Sequence, residues 1–221
     1  MSQEIKIEKK ASEVIQPVTV DDAIQSIRTK KDLSGAKMQG MRLENINAVG
    51  AILRKTDLAD ANLSHGLLVN PNFYRASLHG AAVHNTVFLG GDLVKTQFVE
   101  TDLRESALVG VDAQEASFRK ANLSNAGLVS SNLTDADFTD ANLTNARLAS
   151  LNVTGADFSG ATLTGARAYN VDWSKAKTPP NIIPEPFVKL PNWAWSVLVG
   201  GLLGAITLVI YSLVKRKKNR S

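Results

Sequence analysis

At 221 residues the chain has room for one ordinary domain and its appendages, and with no cysteine it excludes disulfides, thiolate metal sites and thiol nucleophiles. Its net charge of +4 gathers at one end: residues 31–175 hold 15 acids and 13 bases, whereas 176–221 hold one acid and seven bases. A body so nearly neutral has no broad basic face for a phosphate backbone, so nucleic acid is not an expected partner.

Residues 1–18 are charged and carry no apolar run, so they read as a flexible terminus without a secretory signal. Residues 19–30 suit a short helix. Thr19 or Asp21 can cap it, acids occupy the first turn and bases the last, and Ala23, Ile24 and Ile27 make a small apolar face. This segment is the expected N-terminal lid of the domain.

From Leu33, every fifth residue is apolar: Leu33, Met38, Leu43, Ala48, Leu53 and onward to Phe158, Leu163, Ala168 and Trp173, 29 positions without a slip. Two residues before each, 22 of the 29 are Ala, Ser, Thr or Gly. A helix turns about 100° per residue, so a five-residue step scatters these side chains around its circumference. A continuous strand alternates faces and sends every second one outward. The pattern therefore requires a corner in each unit, and four units close a square coil of 20 residues that stacks as solenoid layers do. Gly90 and Gly91 suit a corner. Phe98, Phe118, Phe138 and Phe158 are spaced by one coil, so they are expected to stack as an aromatic ladder at roughly 4.8 Å. About seven coils make a rod ~34 Å long. The small position is broken at Met41, Ile46, Pro71, Val111, Leu151 and Val171. Pro71 also lacks an N–H, which predicts local widening or a kink.

Residues 31–175 resemble the pentapeptide-repeat family, whose consensus is A(D/N)LXX; Ala136-Asp137-Phe138 and Ala141-Asn142-Leu143 carry it plainly. The resemblance implies an all-β solenoid, a right-handed quadrilateral β-helix. The opening stretch from Asp32 to Met38, behind a helix-like segment, resembles the start of many cyanobacterial members, although the cysteines often found there are absent.

Residues 176–192 are rich in proline and read as a stiff spacer; alternatively, Ile182, Ile183 and Phe187 fold back over the last coil. Residues 193–214 contain no Asp, Glu, Lys or Arg, and as a helix they would span roughly 33 Å, one hydrocarbon core. Trp193 and Trp195 flank one end and Tyr211 the other, with Lys215 and Arg216 opening the basic tail 215–221. A transmembrane helix in the lipid bilayer is expected, with Gly200 and Gly204 as a small-residue pair through which a homodimer can pack. The favoured topology is a tail anchor, with the body on the cytoplasmic side.

His65, His79 and His84 occupy outward positions, and His79 and His84, in consecutive units, are the pair expected to approach. Without carboxylates or thiols at ligand spacing they make no metal site. Asp135, Asp137, Asp140 and Asp157 are candidate paired carboxylates, yet the repeat itself writes Asp before the apolar residue, as at Asp57, Asp92, Asp102, Asp112 and Asp172. A solid rod offers no pocket to shift an acid, so no catalytic residue, cofactor or metal is expected. The leading reading is a non-enzymatic, membrane-anchored scaffold or assembly factor with an unidentified membrane-associated protein partner. The cyanobacterial resemblance extends this to a photosynthetic complex at a thylakoid or plasma membrane. The family also includes gyrase-binding members that mimic duplex DNA, which makes a type II topoisomerase the alternative partner; that mimicry needs a strongly acidic surface, and this one is not.

Overall fold

A computed structural model describes residues 19–186. The terminus 1–18, the rest of the spacer, the apolar segment 193–214 and the tail lie outside the described residues. So do Trp193, Trp195, Gly200, Gly204, Tyr211, Lys215 and Arg216, and Phe187 with them. Among the described residues no helix is long and apolar enough to cross a membrane.

Helix α1 spans Val20–Arg28, and Thr19 caps it by accepting the Asp22 N–H at 3.1 Å. Ala23 and Ile27 are buried and Ile24 packs on the core beside them, so the apolar face seals the first coil. The chain then enters a parallel β-solenoid of about seven coils. One side of each coil holds a three-residue strand: β1 Asn47–Val49, β2 Leu67–Val69, β3 Val87–Leu89, β4 Ala107–Val109, β5 Gly127–Val129, β6 Arg147–Ala149 and β7 Arg167–Tyr169. Neighbours pair in parallel at an offset of 20, Leu68 on Phe88 and Phe88 on Leu108. The other three sides pair through single bridges at the same offset, Asp92 on Asp112 and Asp102 on Asn122 among them.

Each unit turns at its fifth residue. From 30 to 170 every one of these has φ between +47° and +76°, the left-handed conformation. Gly, Asn and Asp fill 18 of the 29 corners, the residue types that tolerate it best. The remainder are Lys, Arg, Glu, His and Ser, whose left-handed backbone the stacked coils on either side hold in place. The corner resets the direction of the central residue, and all central residues from Leu33 to Ala168 are at most 7% exposed. Each buried Leu or Phe contributes about 1.5–3 kcal/mol. Their N–H groups bond to the coil above, as Phe73 N–H to Asp92 O at 2.7 Å, so the peptide groups are paired without a second sheet.

Small residues at the inner corner leave room for this packing, and some are polar for a reason. The hydroxyls of Thr56, Thr86, Thr96 and Thr101 donate to the carbonyls of Leu33, Leu63, Phe73 and Leu78, 23 residues back, at 2.6–3.1 Å. The expected disturbance at Pro71 does not break the register. Asn72 N–H reaches Ala51 O at 2.8 Å and Asp92 N–H reaches Pro71 O at 2.9 Å. At many small positions the N–H closes a turn, as Ala76 to Phe73 at 2.7 Å; at 51 and 91, stacked on either side of Pro71, no such bond forms, so proline forfeits nothing there. Gly91 stacks over Pro71, and any Cβ on it would lie 2.5 Å from the proline Cδ.

The regular offset ends at a 3-10 turn, Trp173–Lys175, which inserts one residue: Asp157 bridges Thr178, an offset of 21. Ile182 and Ile183 do not fold back over the last coil; they are 62% and 53% exposed, while Pro180 and Pro184 are buried. Trp173 meets Phe158 edge to face at 5.3 Å. β8 is the short segment Glu185–Pro186.

Candidate interaction surfaces

The repeat assigns each position one task. The Asp or Asn before the central residue accepts the N–H two residues later: Asp57 from Ala59, Asn62 from Ser64, Asp137 from Thr139, Asp157 from Ser159, at 2.9–3.1 Å. These side-chain turns start the bend that the left-handed corner completes. Asp137 and Asp157, two of the candidate acids, are thus structural, and Asp135 and Asp140 are corner residues. The Ser159 hydroxyl, its N–H and the Lys177 ammonium hold the Asp157 carboxyl well below its ordinary value. The Arg104 guanidinium lowers Asp102 likewise, and the Ser34 and Ser174 hydroxyls lower Asp32 and Asp172. Carboxylates lowered this way remain ionised at neutral pH and are unsuited to deliver a proton.

Phe98, Phe118, Phe138 and Phe158 stack with centroids 4.9, 4.7 and 4.8 Å apart and planes within 7° of parallel. Phe88 meets Phe98 edge to face at 6.4 Å, extending the aromatic interior toward Phe73. The histidine that meets His84 is His65, at 5.2 Å and perpendicular, rather than His79. His79 and His84 sit five apart and therefore on different sides, whereas 65 and 84 sit on one side in adjacent coils. No group of three or more metal-ligating side chains occurs among the described residues.

Three outer sides are charged, and in their middle coils opposite charges pair from one coil to the next. Lys95 pairs with Glu115 one coil on at 3.2 Å, Glu100 with Lys120 at 3.6 Å, and Arg119 approaches Asp137 at 3.8 Å. Glu100, Glu115, Arg119, Lys120 and Asp137 rim a shallow open depression of about 530 Å³. The Arg54 and Arg75 guanidinium groups lie over the Tyr74 ring at 5.3 and 5.2 Å from its centroid. All are exposed pairs of the kind worth at most about 1 kcal/mol each, so they decorate the rod more than they hold it.

The strand side differs. Across β2 to β5 its outward residues are Leu67 and Val69, Val87 and Leu89, Ala107 and Val109, Gly127 and Val129, with Asn70, Gly90, Gly110 and Ser130 at the corners. None is ionisable. Charge returns at Arg147 and at Arg167, which is paired with Glu185.

A family model described as a pentapeptide repeat region matches residues 81–158, and one described as pentapeptide repeats in eight copies matches 32–64, 51–90 and 141–176. Together they run the length of the solenoid. No curated protein sequence matches the chain. Solved structures similar to it include HetL from the cyanobacterium Nostoc, a pentapeptide repeat protein involved in heterocyst differentiation regulation, at 23% identity and TM-score 0.36, covering 69% of this chain and 86% of that one. QnrB1, a plasmid-mediated fluoroquinolone resistance protein, is similar at 23% identity and TM-score 0.43, over 77% and 96%. A pentapeptide repeat protein of the Arabidopsis thaliana thylakoid lumen is similar at 25% identity and TM-score 0.18, over 55% and 74%.

Proposed function

Since the chain belongs to the pentapeptide-repeat family, we propose that it is a non-enzymatic scaffold or assembly factor, tethered to a bilayer by residues 193–214, whose charged outer sides bind a protein near the membrane. The observation that carries this reading is the division of labour in the repeat. Core and turn positions take up the apolar, small and Asp/Asn residues, and the charges stand outward in fixed rows on rigid backbone. A surface of this kind recognises a partner by its pattern of charge without reorganising to do so. The uncharged segment 193–214 with its aromatic flanks and basic tail supports the tether. A narrower form takes a photosynthetic membrane complex as the client; its support is the cyanobacterial resemblance of residues 32–38.

The test is crosslinking in native membranes, followed by detergent extraction and identification of what is bound, with a chain ending at Pro186 as control. That endpoint keeps the buried Pro180 and Pro184 in place. A stoichiometric membrane complex lost on truncation is the expected result, and partners unaffected by truncation would sink the tethered reading. The topoisomerase alternative calls for a column of negative charge in place of the opposite-charge Lys95–Glu115 and Glu100–Lys120 pairs. No inhibition of DNA gyrase is expected.

A further inference from the structure

The strand side is the one part of the rod surface that the scaffold reading leaves unused. A parallel sheet is ordinarily covered on both faces; here the inner face packs on the core and the outer face of β2 to β5 presents aliphatic side chains with no charge among them. Its two outward columns are built differently. The column after the central residues is even: Val69, Leu89, Val109, Val129. The column before them tapers from Leu67 through Val87 and Ala107 to Gly127. A tapered surface leaves a widening gap against any uniform partner, and closes against the same taper reversed.

We propose that this side is a self-association surface, on which a second copy of the chain packs face to face with its rod axis antiparallel. The two-fold axis lies along the strands, between β3 and β4. Each column then faces its own counterpart in reverse order: Leu67 against Gly127 of the second copy, Val87 against Ala107, Val69 against Val129 and Leu89 against Val109. Large meets small throughout the tapered column, so two sheets can approach to the ~10 Å at which packed sheets interdigitate. Parallel rods would instead set Leu67 on Val69 at one end and Gly127 on Val129 at the other, leaving that end underpacked. The arrangement is isologous, as closed dimers are. The next pair outward sets Asn47 against Arg147, a polar rim at each end. Six coils at ~4.8 Å by three residues at ~3.3 Å give a strip of about 290 Å² per copy. That is small beside the ~800 Å² per partner of a standard interface, so the dimer is weak and reversible. The proposal rests on the sheet alone and is independent of the membrane tether.

Because the chain has no cysteine, the geometry can be read directly. The Leu67→Cys and Gly127→Cys full-length chains are made separately; a Cβ at 127 meets nothing within 4 Å. In detergent or in membranes, the mixture is expected to be joined between chains by a short bis-maleimide, because facing Cα atoms ~10 Å apart lie beyond the reach of a disulfide. Either chain alone is not, because each introduced thiol lies about three coils, ~14 Å, from its symmetry mate. Val87→Glu is expected to weaken self-association at least tenfold without altering the thermal melt, and mixing Val87→Glu with Ala107→Lys chains to restore it. Leu67→Cys alone crosslinking as well as the mixture would mean parallel rods and overturn the proposal. Self-association indifferent to Val87→Glu would overturn it too, as would thiols shielded from reagent with no link between copies, which would mean another molecule covers the face.

Discussion

Gly91 and Gly110 show how two glycines in one fold can differ in what they are for. Both have positive φ, +102° and +66°, but a Cβ at 110 meets nothing within 4 Å while one at 91 strikes Pro71 Cδ and O at 2.5 Å. Gly110→Ala should cost about 1 kcal/mol, the left-handed penalty alone. Gly91→Ala should cost more than ~3 kcal/mol, since a backbone carbonyl cannot move aside. Equal shifts in denaturant midpoint would refute this. Thr101→Val should cost about 1 kcal/mol, the worth of one buried hydroxyl bond, because the Leu78 carbonyl still accepts the Ala81 N–H at 3.0 Å. Asp157 sets the sign of an acid response. Its pKa is depressed in the folded chain, so its contribution is complete above the unfolded value of ~4 and fades as pH falls through the folded one. Asp157→Asn should therefore lose less melting temperature on acidification than the parent chain does; an identical loss would show that Asp157 is uncoupled from folding.

At the scale of the element, the aromatic column and the sheet can be compared for what the sequence discloses. The four rings are spaced by 20 in the chain and stack within 4.9 Å, so one integer read from the sequence places them on one side. Truncating an interior ring, Phe118→Ala, should cost about 3–5 kcal/mol, and urea denaturation measures it. The corners are harder to read, because Lys55, Lys95, Glu100 and Glu105 are as left-handed as Gly80. Stacking overrides their local preference, and nothing in their identity betrays it. The histidine pairing needs the side assignment as well as the period, which is why His65 is found beside His84 only in three dimensions. The widening or kink expected at Pro71 from its missing N–H leaves the register unbroken, since positions 51 and 91 stacked beside it form no turn bond either. The side that carries regular strands is likewise set by cooperation between coils.

For the whole molecule, the offset of 20 between bonded residues makes the rod additive. Excising residues 108–127 should leave a cooperative fold whose denaturant slope falls by about one seventh, because surface exposed on unfolding scales with coil number. Excising ten residues should lower stability far more, because the aromatic column and the strand side would both be rotated out of line; similar melts for the two deletions would contradict the additive picture. The same repetition bears on how such a chain changes over generations. Of every five letters, two are committed to the core, one to the side-chain turn and one to a left-handed corner. The remaining letter, the residue just after each central one, is the least committed, although Ser159, Ser174 and Arg104 hold the Asp two residues earlier and Ser64 is buried. Where that letter makes no such bond, mutations can collect at little cost to folding, so the rod is a rigid page on which up to one character in five is open to be rewritten by whatever the surface must recognise.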